Sequence, residues 1–282
     1  MDDHRQNDNR DTSLPLHARL PVNRCNLPSM ILGSLTFQNH PTRLYIDGVD
    51  ALHGDFFKEL DLVEKAEQRA ELFKAFMRAS FYLDRPNDIG LNKHQRVKRD
   101  KADYLRMLRG WLFDSDAKEG AVLKSWVESR FGLLPRNHGG TLNDFNGENY
   151  QRYLAARSAG IYNTNAIEAQ LDLLYTYAQY ELTRRYPSHA HFKLYRGINR
   201  IKDHEVLDKP DKNTWVVILN NLNSFTADAE RADEFGDQVI NAQVPLSKLL
   251  YFPGLLPGTL KGEQEYLVIG GIYRVQTTPI HH

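Results

Sequence analysis

From Phe56 to Phe81 the apolar residues Phe56, Leu60, Val63, Ala66, Ala70, Phe73 and Met77 recur every three or four positions. That spacing lays side chains along one face of a helix. It predicts a single helix, stopped at Asp84-Arg85-Pro86 because proline disfavours helical geometry in the residue before it. Residues 85–100 are strongly charged and read as an exposed connection. Leu123, Trp126, Val127, Arg130 and Phe131 mark a second helix, ended by Gly132, which suits the left-handed turn past a helix end. A third runs from about Ala166 to Arg185, with Ile167, Leu171, Leu174, Ala178 and Leu182 as its buried stripe. Asn165 and Glu168 stand in the positions of a capping box at its start.

After Pro187 the periodicity changes. Phe192–Gly197, Trp215–Thr226, Gln238–Val244 and Tyr266–Val275 are rich in Val, Ile, Tyr and Phe and read as strands. One short helix, Asp228–Phe235, is closed by Gly236. Near the start of the chain, Pro21, Pro28, Gly33, Pro41 and Gly48 break any long element, leaving room for a short strand around Arg43–Ile46. The pattern gives an α+β chain: a flexible tail over 1–19, a mainly helical region over 20–187 and a β-rich region over 188–282. These regions are expected to pack as one domain.

Composition narrows the function classes. Lys and Arg number 36, as do Asp and Glu, so the formal net charge is zero. A nucleic-acid binder would carry a basic excess. One cysteine, Cys25, excludes an intrachain disulfide framework and a cysteine-rich metal site. The polar, acidic start lacks the features of a secretory signal, and no apolar run is long enough to span a membrane. The expectation is a cytoplasmic protein. No Gly-x-Gly-x-x-Gly follows a strand, which disfavours a dehydrogenase. His189 and His191 form the one tight internal histidine pair, and a polar loop explains them as well as a metal does. His281 and His282 are either native or the stub of a tag.

Three segments of the β-rich region carry candidate chemistry. In Leu194-Tyr195-Arg196-Gly197 an arginine sits on an apolar strand. Such a cation is costly to bury unless it meets a core carboxylate or a ligand anion, and its planar fork suits a diphosphate. Gly197 would let a ligand approach the backbone. In Asn223-Ser224-Phe225-Thr226-Ala227 alternation puts Ser224 and Thr226 on one face and Phe225 on the other. Their hydroxyls suit a polar ligand or a neighbouring carboxylate, and Thr226 also suits the start of the following helix. In Lys261-Gly262-Glu263-Gln264-Glu265-Tyr266 an extended backbone turns Glu263 and Glu265 the same way, about 6–7 Å apart. They form either a solvated strand end or a paired acidic site.

An arginine strand, a Ser-Phe-Thr strand with a trailing Ala-x-x-Phe helix, and then Glu-x-Glu resembles the Arg-Ser-Glu class of mono-ADP-ribosyltransferases. A closer resemblance covers nearly the whole chain. Asn23-Arg24-Cys25-Asn26-Leu27-Pro28, Leu32-Gly33-Ser34-Leu35, Phe37-Gln38 and Leu44-Tyr45-Ile46-Asp47-Gly48 look like the dinitrogenase reductase ADP-ribosyltransferase family.

This resemblance implies a mixed or antiparallel β-sandwich of the ADP-ribosyltransferase type and NAD+ as co-substrate, with residues 188–282 as the catalytic core and no metal. It implies transfer of ADP-ribose to an arginine of dinitrogenase reductase, the nitrogenase iron protein, which switches nitrogen fixation off. Glu265 would stabilise the ribosyl cation, Ser224 would orient Glu265, and Glu263 would position the acceptor guanidinium. Arg196 would hold the donor phosphate and the Gly197 backbone the nicotinamide amide. Phe225, Thr226 and Phe235 would line or support the NAD pocket. The loop from about Phe252 to Gly262 would touch the protein substrate, and a PII signal-transduction protein is a further partner. An NAD glycohydrolase or an inert NAD-binding scaffold of the same fold are the rival readings.

Overall fold

The computed structural model describes residues 13–83, 102–161, 166–260 and 264–278. The expectations for Asp84-Arg85-Pro86 and the charged connection, Asn165, Lys261 to Glu263 and the two final histidines lie outside the described residues. The short helices Ser29–Leu32 (α1) and Leu35–Asn39 (α2) are followed by Val49–Asp61 (α3) and Ala66–Phe81 (α4). Then come Tyr104–Phe113 (α5), Lys118–Phe131 (α6), Glu148–Ile161 (α7) and Ala166–Arg185 (α8). The expected flexible tail runs too far. Leu14 and Ala18 are buried and Arg19 bridges to Leu133, so the chain is docked before residue 19.

The single helix expected over 56–81 is two helices. The break at Leu62 to Lys65 contains neither glycine nor proline, and its physical basis is a side chain. Arg69 Nη1 donates to the carbonyls of Val63 (3.0 Å) and Glu64 (2.5 Å), replacing partners that a continuous helix would supply. Arg69 is itself fixed by Glu181, with Nε to Oε1 at 2.5 Å and Nη2 to Oε2 at 3.0 Å. Arg185 binds the same carboxylate at 2.6 Å. Glu181 therefore ties the α3–α4 break to α8.

Helix α8 has the bounds the pattern predicts and lies deep in the protein, with Ile167, Leu171, Leu174, Ala178 and Leu182 all buried. Asp172 clamps it to α6, accepting from Trp126 Nε1 (2.7 Å) and from both Nε and Nη2 of Arg130 (2.7 and 2.9 Å). Gly132 ends α6 at φ 68°, as a left-handed helix stop requires. Helix α5 buries Tyr104, Met107, Leu108 and Trp111, while Asp103 caps its start through Leu105 N.

The strands are His191–Ile198 (β1), Glu205–Asp208 (β2), Thr214–Thr226 (β3), Gln238–Pro245 (β4), Leu249–Tyr251 (β5) and Glu265–Thr278 (β6), with the helix Ala229–Asp233 (α9) after β3. All pair antiparallel. Among the described residues they form one six-stranded sheet. β3 runs beside β6, the end of β6 meets β4, β4 pairs with β1, and β1 returns to β3 through Tyr195 and Thr226. The pairing path closes on itself in the manner of a barrel. Curvature comes from a bulge in β3 between Leu219 and Leu222 opposite Gly270 and Gly271. Gly271 sits at φ 113°, and a side chain at Gly270 would lie 1.8 Å from the Asn220 carbonyl oxygen. Buried Gln38 of α2 stitches the sheet where β4 and β6 part, donating to Gln243 O and Arg274 O and accepting from Arg274 N. The short strand expected at Arg43–Ile46 is reduced to one bridge, Cys25 to Ile46.

One continuous core joins the helical and β-rich regions, from Leu14 to Val275. A buried carboxylate between two arginines makes a sharp test of this packing. Glu181→Gln should lower unfolding stability by about 3–5 kcal/mol in urea titration, because two guanidinia lose their counter-charge in a dry setting. Breaking the fully exposed Lys58–Asp55 pair should leave the midpoint where it is.

Candidate active site

Strands β1, β3 and β6 bring their candidate residues to one place. Arg196, Gly197, Ser224, Phe225, Thr226, Phe235 and Glu265 all line a single cleft of about 400 Å³. Glu263 lies outside the described residues. Register explains the convergence: Thr226 pairs with Tyr195 on one side and with Glu265 on the other. The ends of three strands therefore meet at Thr226.

Arg196 is half-buried. Its Nη1 donates to the Ser224 carbonyl at 2.8 Å, while its Nε is buried without a hydrogen-bond partner. Burial pushes this guanidinium below its ordinary pKa, and the charges of Glu265 and Asp116 oppose that shift. The structure thus leaves a desolvated cation only partly satisfied. The Ser224 hydroxyl accepts from Trp111 Nε1 at 2.9 Å. That contact binds α5 to β3 across 113 positions of sequence, and Trp111 was not among the expected site residues. The available signal was its place at the end of the 104, 107, 108, 111 stripe, which marks a helix but not what the indole meets.

Gly197 has a structural explanation of its own. A methyl group there would lie 2.2 Å from the Ala232 carbonyl oxygen and 3.1 Å from Phe235 Cβ, so the bare Cα lets the α9 segment pack against β1. One close approach that Gly197 permits is thus made by the chain itself, and Gly197 also lines the cleft. Phe225 and Thr226 are buried, whereas Phe235 is 65% exposed. Thr226 Oγ1 accepts from Asp228 N at 3.2 Å, and Asp228 is the residue that caps α9.

A second cleft of about 450 Å³ adjoins the first, with Trp111, Ser115, Arg196 and Ser224 in both walls. Its lining is polar and includes Asn137, Asn143, Asn220, Asn223 and His204. The β3 bulge shapes it. Asn220 accepts from Arg136 N and donates to Asn137 O, while Asn221 donates to the carbonyls of Lys124 and Leu133. Lys124, almost wholly buried, donates to Asp116 Oδ1 at 2.7 Å and lies 3.2 Å from His138 Nδ1. Burial lowers the Lys124 pKa against the pull of Asp116. Burial and the Lys124 charge push His138 down to about 4. Burial and Arg196 push His204 down to about 4 as well.

The expected recognition loop is anchored in the core at three of its residues and exposed at Gly254 and Gly258. Phe252, Leu255 and Leu256 are buried and fix the segment to the core. Cys25 is buried and its thiol is raised by burial, which fits an inert residue. His191 meets the Gln38 carbonyl at 2.6 Å. Among the described residues there is no cluster with the makings of a metal site, and no helix is long and apolar enough to cross a membrane.

An arginine strand, a Ser-x-Thr strand and a glutamate strand around one cleft is the arrangement expected of an Arg-Ser-Glu ADP-ribosyltransferase. The family model for dinitrogenase reductase ADP-ribosyltransferase (DRAT) matches residues 22–277. The chain is 39% identical over 260 residues to the NAD(+)–dinitrogen-reductase ADP-D-ribosyltransferase of Rhodospirillum rubrum, covering 91% of this chain and 94% of that protein. The chain belongs to the dinitrogenase reductase ADP-ribosyltransferase family. No solved structure shows a significant match.

The depressed histidines give a pH test. Between about pH 6.5 and 4 the unfolded chain binds a proton at residue 138 that the folded chain refuses, so stability falls as pH falls through this window. His138→Gln should flatten the slope of unfolding free energy between pH 6 and 4.5 by roughly 1 kcal/mol per pH unit. An unchanged slope would mean that the folded histidine titrates normally.

Proposed function

We propose that the protein moves ADP-ribose from NAD+ to an arginine side chain of dinitrogenase reductase and so inactivates nitrogen fixation reversibly. The observation that carries this reading is the meeting of Arg196, Ser224 and Glu265 at one cleft in a chain of this family. The fit to a dinucleotide rests on two features. Two adjoining clefts of about 400 and 450 Å³ offer one space for each half. Between them stands a buried guanidinium whose Nε has no partner, placed to take a diphosphate.

In this reading Arg196 grips the donor phosphates where the clefts join. The Gly197 backbone meets the nicotinamide amide, and Phe225, Thr226 and Phe235 support that end. The second cleft, rich in amide side chains, takes the adenosine half. Departure of nicotinamide leaves an oxocarbenium-like ribose, as in glycoside hydrolysis. Glu265 bonds the ribose 2′-hydroxyl and supplies a fixed negative charge to that cation. Trp111 occupies a lone pair of the Ser224 hydroxyl, which leaves the hydroxyl proton to orient Glu265. A guanidinium is protonated and a weak nucleophile, and Glu263 positions it for attack and helps remove its proton. These roles need no metal. The fold as a variant of the ADP-ribosyltransferase sandwich, a cytoplasmic location and association with a PII protein belong to the same proposal, the last without an assigned surface.

Incubation with labelled NAD+ and reduced dinitrogenase reductase, followed by mapping of the modified side chain, should place the label on one arginine. Nicotinamide release that is indifferent to the acceptor would favour the glycohydrolase instead. Glu265→Gln should reduce transfer by about 10²-fold or more while NAD+ binding changes only a few-fold. Transfer near the wild-type rate in that variant would show that the cation-stabilising carboxylate lies elsewhere.

A further inference from the structure

Phe113 is the most exposed large hydrophobic residue among those described, at 93%, and it lines the candidate active-site cleft. Phe235, at 65%, ranks next among the described phenylalanines and lines the same cleft. Single exposed apolar residues are ordinary. Two exposed rings gathered at one cleft mouth are less so.

Folding offers no reason for an aromatic at 113. The buried stripe of α5 is Tyr104, Met107, Leu108 and Trp111, and residue 113 falls outside it. The position is nevertheless held firmly. Two residues earlier, Trp111 is buried and donates to Ser224 Oγ at 2.9 Å. One residue later, Asp114 N donates to Gly110 O at 2.9 Å, while Asp114 Oδ1 accepts from Asp116 N at 2.9 Å. The next turn is closed by Ala117 N to Asp114 O at 3.1 Å. A rigid aromatic on a pinned turn loses little conformational freedom on association, the property of an interface anchor.

Charge indicates what it anchors. Asp114, the next residue along the chain, and Glu265 line the same cleft. A cationic side chain entering here meets these carboxylates, and Arg196 and Arg231 line the same cleft as cations suited to donor phosphates. A ring left 93% exposed lines the cleft only at its rim, where a small donor would cover little of it and a protein surface would cover much.

We propose that Phe113 is a docking anchor for the acceptor protein. Its ring seats in an apolar depression beside the reactive arginine and so brings that arginine to Glu265. This deepens the transferase reading and rests on it. The contact comes from the helical half of the chain, whereas the apolar residues of the 252–256 segment are occupied in the core.

The test compares wild type, Phe113→Ala and Phe113→Tyr with two acceptors, reduced dinitrogenase reductase and the free guanidine agmatine. Phe113→Ala should raise KM for the protein acceptor about tenfold or more, with kcat, the KM for NAD+ and agmatine transfer within about twofold of wild type. Phe113→Tyr should restore most of the affinity. An equal loss with agmatine, or a raised KM for NAD+, would overturn the proposal by placing the ring on the small substrates. Wild-type behaviour of Phe113→Ala towards the protein acceptor would also overturn it. So would a dimer of the wild-type chain in sedimentation that this variant abolishes, since the ring would then serve self-association. If wild type modifies neither acceptor, the transferase reading itself fails. If wild type modifies both and Phe113→Ala matches it, only the anchor fails.

Discussion

A cation buried without full compensation governs this structure. Arg196 rises from β1 into the gap between β1 and β3, gives one N–H to the Ser224 carbonyl and leaves its Nε without a partner. Taking a guanidinium out of water is unfavourable unless anions and hydrogen bonds replace the hydration. Here two carboxylates, Glu265 and Asp116, act on it mainly through their charge. The fold tolerates the deficit because α8, α6 and the long β3–β6 pair hold the surroundings in place. A diphosphate would remove it. In the proposed reading, donor binding draws on the same residue whose burial is unfavourable.

Holding such a site open requires a frame, and the helical region supplies it. Trp111 reaches from α5 to the Ser224 hydroxyl, and Lys124 and Asp116 extend from α6 and the turn before it into the second cleft. The bulge at Asn220 and Asn221 gives up regular strand pairing and uses the freed side chains to fasten residues 124, 133, 136 and 137. The β-rich region carries the residues of the motif. The walls that give those residues a shape come from the helices, which is why one continuous core spans both parts.

Much of this was readable along the chain. β1, β3, β4 and β6 declare themselves by Val, Ile and Tyr, and α8 by its stripe, because each buries enough surface to leave a periodic trace. The elements that escaped leave almost none. Helix α7 buries only Tyr153 and Gly160, β2 is four residues with acidic ends, and β5 is three apolar residues without alternation. The break between α3 and α4 was illegible for another reason: it is stabilised by Arg69, whose partner Glu181 lies 112 positions away. The residues of β1, β3 and β6 that meet at one cleft were picked out by their order on strands. Trp111, Lys124, His138 and Asn220 were not, since their roles arise from contacts between distant segments that no local pattern records.

The shape of the site also bears on how water and arginine compete for the same ribosyl cation. A cleft that opens to solvent beside Glu265 admits both, and chemistry at the carboxylate does not distinguish them. Beyond the positioning proposed for Glu263, discrimination can come from local concentration. An acceptor fixed by a rigid contact at the rim presents its guanidinium at an effective concentration that can exceed anything free in solution. The firm turn at residues 113–117 is suited to that, because any slack there would be lost in positioning. On this view the helical region serves the reaction twice, framing the donor pocket through Trp111 and holding the acceptor through the ring two residues further on. The short distance along α5 between these two side chains makes donor and acceptor geometry depend on one helix end.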